Sequence, residues 1–188
     1  RFLISINLKT IKVASADLTD HFIHEYLAGT NKKIIISTGM SKLKDILDTL
    51  KIYKKKGHKS LSLLHCVSNY PCSNASLNLN CIDTLKKYVK NVGFSDHSRD
   101  HLSSALAIAK GASIIEKHIT LDNNLPGPDH KTSLNLRDFK KFVSQLRKAE
   151  IILGTNLKKI QPEEKEMLNI SRKGLYYSKN IQIGKKIK

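Results

Sequence analysis

The sequence contains no tryptophan, four prolines and three cysteines among its 188 residues. So few prolines exclude a proline-rich linker, and a hydrophobic share of 40 % excludes a wholly disordered chain. No uncharged apolar run approaches the length of about 18 residues that marks a membrane-spanning helix. The cysteines, Cys66, Cys72 and Cys81, form no CxxC pair, so we expect free thiols in a reducing cytoplasm.

Acidic residues are scarce relative to basic ones: 33 Lys and Arg stand against 16 Asp and Glu, for a net charge of +17. The basic residues are mostly scattered lysines, without the arginine clusters and interleaved aromatic rings that read nucleic-acid sequence. We therefore expect these lysines to lie on solvated helix faces. This predicts no specific nucleic-acid partner, with nonspecific polyanion binding as a side effect.

Short β-branched runs alternate with amphipathic stretches along the first 154 residues. The predicted strands are Ile11–Ser15, Lys33–Ser37, Ser60–Cys66, Asn91–Phe94 and Ala112–Lys117, and the predicted helices cover 20–28, 41–56, 74–90, 98–110 and 135–153. Such alternation is typical of parallel strands joined by crossover helices, and it predicts an α/β fold.

Two α/β architectures fit this spacing, an open doubly wound sheet and a (β/α)₈ TIM barrel. Polar or titratable groups close every predicted strand, as in a TIM barrel, and no GxGxxG turn follows the first strand. We therefore predict a partial (β/α)₈ TIM barrel. Because a complete barrel has eight strands, we interpret the five as about strands 4–8 and expect roughly 75–90 residues of barrel to precede Arg1.

The pattern changes after Gly154. Residues 155–170 are polar and include Pro162, which indicates a linker. Residues 171–177 and 181–184 resemble strand starts separated by turns. We therefore predict a barrel domain over 1–154, a linker over 155–170 and the beginning of a truncated, β-rich domain over 171–188.

Two histidines follow neighbouring predicted strands near the end of the barrel. His97 and His118 are 21 residues apart, which is one strand–helix–strand step. Adjacent parallel strands lie about 4.8 Å apart, so the two imidazoles can converge on one ion. Such a pair, with its remaining positions open to oxygen ligands, suits a catalytic Mn²⁺, Co²⁺, Zn²⁺ or Mg²⁺.

Other polar side chains are predicted to face the same barrel interior. Glu116 precedes His118 by two residues and is either one half of an ion pair with a lysine, a group that orients a metal-bound histidine, or a general acid or base. Lys12 lies within the first predicted strand and needs an anion, either a carboxylate or a phosphate. Serines at strand ends could add hydroxyl donors, and the stiff turn around Gly127 could hold Asp129 over the barrel mouth. The serines are Ser37, Ser68 and Ser95.

Taken together, these stretches resemble the sialic acid synthase family, which condenses phosphoenolpyruvate with sugars of the N-acetylmannosamine type. The matching motifs are Ile11-Lys12-Val13-Ala14-Ser15, Ser37-Thr38-Gly39-Met40, Leu64-His65-Cys66-Val67-Ser68-Asn69-Tyr70-Pro71, Gly93-Phe94-Ser95-Asp96-His97, Ile115-Glu116-Lys117-His118 and Pro126-Gly127-Pro128-Asp129-His130. Their order and spacing over residues 11–154 make the resemblance specific. Residues 171–185 resemble the start of the small antifreeze-like (SAF) domain of these enzymes.

The resemblance implies the roles of individual residues. His97 and His118 would bind a divalent metal, with Mn²⁺ favoured over Mg²⁺ or Co²⁺, and Glu116 would sit beside it as a third catalytic residue. Substrate contacts would come from further side chains, with the phosphate on Lys12, Ser37, Ser68, Asn69 and Ser95, the sugar on Tyr70 and Asp129, and Ser15 as one more binding residue. The family also implies a domain-swapped homodimer. We expect the 188-residue chain to be inactive on its own.

Three alternatives remain open at this point. The sugar could be N-acetylmannosamine, its 6-phosphate, or a bacterial diacetamido-hexose leading to legionaminic or pseudaminic acid. The chain could belong to another phosphoenolpyruvate-condensing barrel of the 3-deoxy-octulosonate type, although the Ser-Asp-His and Pro-Gly-Pro-Asp stretches argue against it. It could also be a noncatalytic, basic binding module, which the charge of +17 would favour.

Overall fold

The structure is a computed structural model that describes residues 2–186. Five parallel strands form one sheet in the order β1-β2-β3-β4-β5. The strands are β1 (Thr10–Val13), β2 (Lys33–Ser37), β3 (Leu61–Cys66), β4 (Asn91–Asp96) and β5 (Ile115–Lys117). The α-helices up to Gly154 are α1 (Phe2–Ser5), α2 (His21–Ala28), α3 (Leu43–Lys55), α4 (Cys81–Leu85), α5 (Leu102–Ala109) and α6 (Leu136–Leu153). The predicted alternation of strands and helices is confirmed.

The sheet is curled, as the barrel prediction requires. Four strand spacings separate β1 from β5, which would be about 19 Å in a flat sheet. Yet Lys12 on β1 and Glu116 on β5 form an ion pair with Nζ and Oε2 only 3.4 Å apart. The sheet therefore wraps around a polar interior, and the fold is part of a (β/α) barrel.

The two faces of the sheet have different chemistry, because successive side chains of a strand point to opposite faces. The outer face is mainly apolar and packs into the main core, to which it contributes Ile11, Val13, Ile34, Ile36, Leu63, Val92 and Phe94. By register, the inner face carries a row of polar side chains near the carboxyl ends of the strands, namely Lys12, Ser37, Cys66, Ser95 and Glu116. This inner row positions the candidate site.

Several details differ from the sequence-based expectations. The strand β1 ends two residues earlier than predicted, β5 begins three residues later, and α5 begins four residues later. Instead of one helix over 74–90, a short 3₁₀ helix (Asn74–Ser76) precedes α4, because Asn78 takes a positive φ of 41° that interrupts a helix. The strand β4 extends to Asp96, beyond the predicted end at Phe94. Past β5 the chain continues as β6 (Ile119–Thr120), which pairs in parallel with β7 (Leu134–Asn135) just before α6.

The chain forms two compact units, of which the first, Arg1–Gly154, contains the sheet and the second is Thr155–Lys188. The expected linker over 155–170 contains a 3₁₀ helix (Pro162–Glu164) and most of α7 (Lys165–Ser171). The strand starts expected at 171–177 and 181–184 are not formed, since the described part of this unit contains no strand. Two short isolated segments have no neighbouring strands to pair with, and an isolated hairpin is marginal in water.

Between Phe2 and Lys186, no helix has both the length and the apolar sequence that crossing a bilayer demands. The three cysteines are all free, with Cys66 and Cys72 buried.

Candidate active site

The predicted histidine pair is brought together at the carboxyl ends of β4 and β5. The rings of His97 and His118 lie 5.8 Å apart between centroids and are nearly perpendicular. Tyr70 fills the space beside both, with its ring centroid 3.9 Å from that of His97 and 4.7 Å from that of His118. Three rings from three successive strand ends therefore form one cluster, here called the imidazole cluster (Tyr70, His97 and His118).

The ring of His97 is held in one orientation by its hydrogen bonds. Its Nδ1 lies 2.6 Å from the carbonyl oxygen of Val67, which can only accept, so Nδ1 carries the proton. Burial is the main cause that lowers the pKa of His97, and the nearby His118 lowers it further. The imidazole is therefore neutral near pH 7, and Nε2 presents a lone pair to the inside of the barrel.

Tyr70 supplies the hydrogen that this lone pair accepts. Its hydroxyl lies 2.6 Å from His97 Nε2. Burial raises the pKa of Tyr70 to about 12, so the phenol remains protonated and donates at neutral pH. A metal ion or another donor that takes up this lone pair has to displace the Tyr70 hydroxyl first.

A chain of charged and polar groups lies next to the imidazole cluster. Ser95 donates to Glu116 Oε1 at 2.6 Å, and Lys12 pairs with the other carboxylate oxygen. The Ser95 hydroxyl also lies 3.2 Å from His97 Nε2. Lys12 thus has the carboxylate partner that was one of its two predicted anions, and Glu116 links the first strand to the imidazole cluster.

A second group of polar atoms surrounds Gly39. Its backbone N–H donates to Ser15 Oγ at 3.0 Å, and Ser15 Oγ lies 3.1 Å from Cys66 Sγ. A Cβ added to Gly39 would overlap Ser15 Oγ, Cys66 Sγ and Ser68 Oγ, so only glycine lets these atoms meet. We call this group the hydroxyl pocket (Ser15, Gly39, Cys66 and Ser68).

Ser37, two residues before Gly39, has an unsatisfied hydroxyl. Its Oγ is buried without a hydrogen-bond partner, and the whole residue is only 3 % exposed. Leaving a buried polar group unpaired costs about 1–3 kcal/mol. This unpaired hydroxyl on the inner face of the sheet therefore has a hydrogen bond to donate to a ligand with an accepting oxygen atom.

Asp129 and Asn69 lie less centrally than the other predicted residues. Asp129 Oδ2 is 4.0 Å from His118 Nδ1, with 61 % of the Asp129 side chain exposed. Asn69 is exposed, and its amide donates to the carbonyl of Pro71 at 3.2 Å. Asp129 therefore borders the imidazole cluster, whereas Asn69 is not joined to the hydroxyl pocket.

Sequence reasoning gave no role to the groups that fix the loop carrying Asp129. Asn123 Nδ2 donates to the carbonyl oxygens of His130 and Ser133, at 2.7 and 2.8 Å. The His130 ring contacts the Thr120 hydroxyl at 2.7 Å. No local signal marks Asn123, because its two partners lie seven and ten residues further along the chain.

Asp96 and Lys117 are a second set that sequence reasoning left without a role. They lie on the outer face, one residue before each of the two histidines, and form a buried ion pair 3.1 Å long. The signal was present in the sequence: opposite charges occur at equivalent positions of neighbouring strands, each just before a histidine.

Metal-binding capacity rests on two side chains. Within residues 2–186, no group of three or more His, Cys, Asp and Glu converges as a metal site. Two imidazoles that leave the other positions to oxygen atoms of water or substrate fit a catalytic ion, whereas a structural ion needs a closed set of ligands. The side chains of His97 and His118 therefore fit the divalent metal ion that was expected from the sequence.

The comparisons with known proteins agree with this arrangement. The chain is 40 % identical over 182 residues to the N,N'-diacetyllegionaminic acid synthase of Campylobacter jejuni, covering 95 % of this chain and 54 % of that enzyme. It is 36 % identical over 175 residues to the pseudaminic acid synthase of the same species, covering 92 % of this chain and 50 % of that enzyme. The chain thus spans about half the length of these curated relatives.

A solved structure and a family model complete the comparison. The crystal structure of an N-acetylneuraminic acid (sialic acid) synthetase from Leptospira borgpetersenii superposes with a TM-score of 0.82 and 36 % identity, covering 89 % of this chain and 59 % of that chain. The model of the NeuB family matches residues 1–158. Since that match includes the whole curled sheet and every residue of the candidate site, the chain belongs to the NeuB family.

Proposed function

We propose that this chain provides the second half of a (β/α)₈ barrel that condenses phosphoenolpyruvate with N-acetylmannosamine or a related acetamido-hexose. The products would be a nonulosonic acid and inorganic phosphate, formed with cleavage of the C–O bond of phosphoenolpyruvate. The observation that carries the proposal is the convergence of the imidazole cluster and the Lys12–Glu116–Ser95 chain on one inner face. We refer below to this chain together with the rest of such a barrel as the intact synthase.

Phosphoenolpyruvate is assigned to the side nearer β1 and β2. The Lys12 ammonium and the unpaired Ser37 hydroxyl supply a charge and a donor for its phosphate, with Ser95 and the hydroxyl pocket nearby. Asn69 would join them only if its loop moved on binding. Lysine suits a phosphate as a point charge, and the buried Ser37 hydroxyl recovers a hydrogen bond when the phosphate arrives.

The sugar is assigned to the imidazole cluster. A divalent metal held by His97 and His118, with Mn²⁺ favoured, would polarise the carbonyl oxygen of the open-chain sugar as a Lewis acid. Tyr70 and Asp129, at the mouth, would orient the sugar through its hydroxyl or acetamido groups. The barrel thereby holds the enol carbon and the aldehyde carbon in line, and such alignment is a large part of catalysis in two-substrate reactions.

Glu116 is assigned the proton transfer. Carbon–carbon bond formation leaves positive character at C2 of phosphoenolpyruvate, and a water molecule adds there. Glu116 accepts a proton from that water, while Lys12 and Ser95 hold the carboxylate in place through its two oxygens. Glu116 passes that proton to the former aldehyde oxygen, which becomes a hydroxyl. The tetrahedral intermediate then breaks its C–O bond to phosphate, and the proton of the C2 hydroxyl leaves with the phosphate as the C2 ketone forms.

The proposal extends to the cellular compartment, the oligomeric state and the identity of the sugar. The free thiols suit a reducing compartment such as the cytoplasm. A homodimer in which the small terminal domain covers the partner's site would complete the sugar pocket, and light scattering of the intact synthase would test its mass. The particular acetamido-hexose is to be identified by mass spectrometry of the products from a panel of hexosamines.

Histidine replacements test the proposal. His97→Ala and His118→Ala in the intact synthase should each abolish both Mn²⁺ binding, measured by calorimetry, and phosphate release from phosphoenolpyruvate. His21→Ala is the control, because His21 is exposed on α2, away from the sheet interior. A noncatalytic binding module would show no condensation before or after the changes, and that result would refute the proposal.

A further inference from the structure

The buried ion pair that precedes the two histidines in sequence has no part in the reaction as proposed. Asp96 and Lys117 are directly opposite each other in the last rung between β4 and β5, and their side chains are 0 % and 3 % exposed. They point to the outer face, so they touch neither substrate position. Burying two charges is expensive, and a well-packed apolar pair is often equally stable. Their presence at this rung therefore needs an explanation other than stability.

The ion pair contacts the backbone or side chain of the residues on either side of His97 in the sequence. Asp96 Oδ1 accepts the backbone N–H of Ser98 at 2.8 Å, which closes a tight turn around His97. Lys117 Nζ binds the Asp96 carboxylate and also donates to the carbonyl oxygen of Ser98 at 2.5 Å. The ammonium of Lys117 thus holds the residue before His97 and the residue after it.

The same pair is anchored to the helices outside the sheet. Ser103 and Ser104, at the start of α5, donate to Asp96 Oδ2 at 3.0 and 2.5 Å. The Lys117 ammonium lies 5.8 Å from the centre of the Phe142 ring on α6. These contacts satisfy the carboxylate and pack the ammonium against an aromatic face, so the pair is held rigidly.

His97 and His118 lie one residue beyond this rung, where the paired ladder of β4 and β5 has ended. The last direct link between the two strands before the histidines is therefore the ion pair. We propose that Asp96 and Lys117 are positioning residues that set the separation of His97 and His118. This inference rests on the proposed function, in which the two imidazoles share one divalent ion.

The test is the double variant Asp96→Asn with Lys117→Met in the intact synthase. It removes both charges together, keeps an acceptor for Ser98 N–H and keeps an unbranched side chain beside Phe142, so no lone charge is buried. Loss of groups that orient metal ligands typically weakens metal binding about 10–100-fold, and we expect that weakening for Mn²⁺ in calorimetry. Turnover should fall through kcat, with little change in KM for phosphoenolpyruvate, whose phosphate is held elsewhere.

A matched control is the exposed ion pair between Asp83 and Lys110, 2.7 Å long, with side chains 50 % and 39 % exposed. Asp83→Asn with Lys110→Met should leave Mn²⁺ affinity unchanged. If the Asp96/Lys117 double variant does not fold, Ser104→Ala removes one hydroxyl donor to Asp96 and should weaken Mn²⁺ binding a few-fold in a folded protein. A folded variant of either kind with unchanged Mn²⁺ affinity would overturn the inference.

A second measurement separates this inference from the proposed function. If the unaltered synthase binds no Mn²⁺, the metal assignment fails, and the metal-free crystal structure of the double variant decides the positioning role. A change of more than about 0.5 Å in the 5.8 Å separation of the two rings would support that role, since working sites hold their groups within such limits. An unchanged separation would refute it.

Discussion

Lys12 on the first strand and Glu116 on the last strand form an ion pair across the inside of the sheet, with Nζ and Oε2 3.4 Å apart. The two residues are 104 positions apart in sequence, and the pair exists because the sheet curls. It ties the proposed phosphate side of the site to the proposed proton-transfer group.

The first prediction concerns this pair. Lys12→Met should raise KM for phosphoenolpyruvate strongly, because the phosphate loses its charged partner. The free energy of unfolding should change by less than about 1 kcal/mol, since the side chains of Lys12 and Glu116 are both partly exposed. Steady-state kinetics and urea unfolding would measure the two effects. Lys51→Met, at an exposed pair with Asp48 on α3, should change neither quantity. A KM for phosphoenolpyruvate that stays constant in Lys12→Met would contradict the phosphate assignment.

The second prediction concerns the orphaned hydroxyl of Ser37. In the ligand-free protein Ser37→Ala should be neutral or stabilising by up to about 1 kcal/mol, because an unpaired buried donor is removed. The same change should weaken phosphoenolpyruvate binding. Thr49→Val is the stability control, since the buried Thr49 hydroxyl donates to the carbonyl of Leu18 at 2.7 Å, and its loss should cost about 1 kcal/mol. If Ser37→Ala destabilises as much as Thr49→Val, the hydroxyl has a partner and the anion site is misplaced.

The third prediction separates the two roles of Tyr70. Tyr70→Phe keeps the ring packed against His97 but removes the hydroxyl bonded to Nε2. Because that hydroxyl competes for the lone pair of His97, Mn²⁺ affinity should stay equal or increase, while KM for the sugar should rise. Calorimetry and kinetics on the same preparation would check both results. Weaker Mn²⁺ binding in Tyr70→Phe would show that the phenol assists the ion instead of competing with it.

The fourth prediction is a loss of stability in acid. Burial lowers the pKa of His24, His65 and His97 below the ordinary value of about 6.5. The folded protein therefore holds these rings neutral while the unfolded chain protonates them, so stability is full above about pH 6.5 and decreases as the pH falls towards the lowered pKa values. The melting temperature should consequently fall between about pH 7 and pH 5.

His24 offers a direct check of that cause. It is fully buried, and its Nε2 donates to the carbonyl oxygen of Asp17 at 3.1 Å. Its Nδ1 therefore accepts from the Tyr53 hydroxyl at 2.8 Å. His24→Gln should lower stability at about pH 8 but reduce the loss of stability on acidification, because one buried titrating ring is gone. His21→Gln, at an exposed position of the same helix, is the matched control and should retain the loss of stability on acidification. An identical pH dependence in His24→Gln would assign the acid loss to other groups.

Much of the fold could be predicted because its signals are local. Alternating β-branched and amphipathic segments located all five strands of the main sheet, and a spacing of one strand–helix–strand step brought His97 and His118 together as predicted. The break before α4 was missed because helical periodicity continues past Asn78, whose backbone conformation only the folded chain reveals. The strands expected after Ser171 were wrong, since a β-like sequence forms a strand only beside a partner.

The roles of single residues were likewise predictable only where the signal for them is local. The amino-acid sequence by itself determined which side chains share a face of the sheet, because alternation along a strand is a property of the local backbone. Only the tertiary structure decided that Lys12 meets Glu116, that Ser37 is left unpaired, and that Asp96 and Lys117 form a buried ion pair. Those facts depend on how far the sheet curls and which groups lose contact with water, and both are set by packing between segments far apart in the chain.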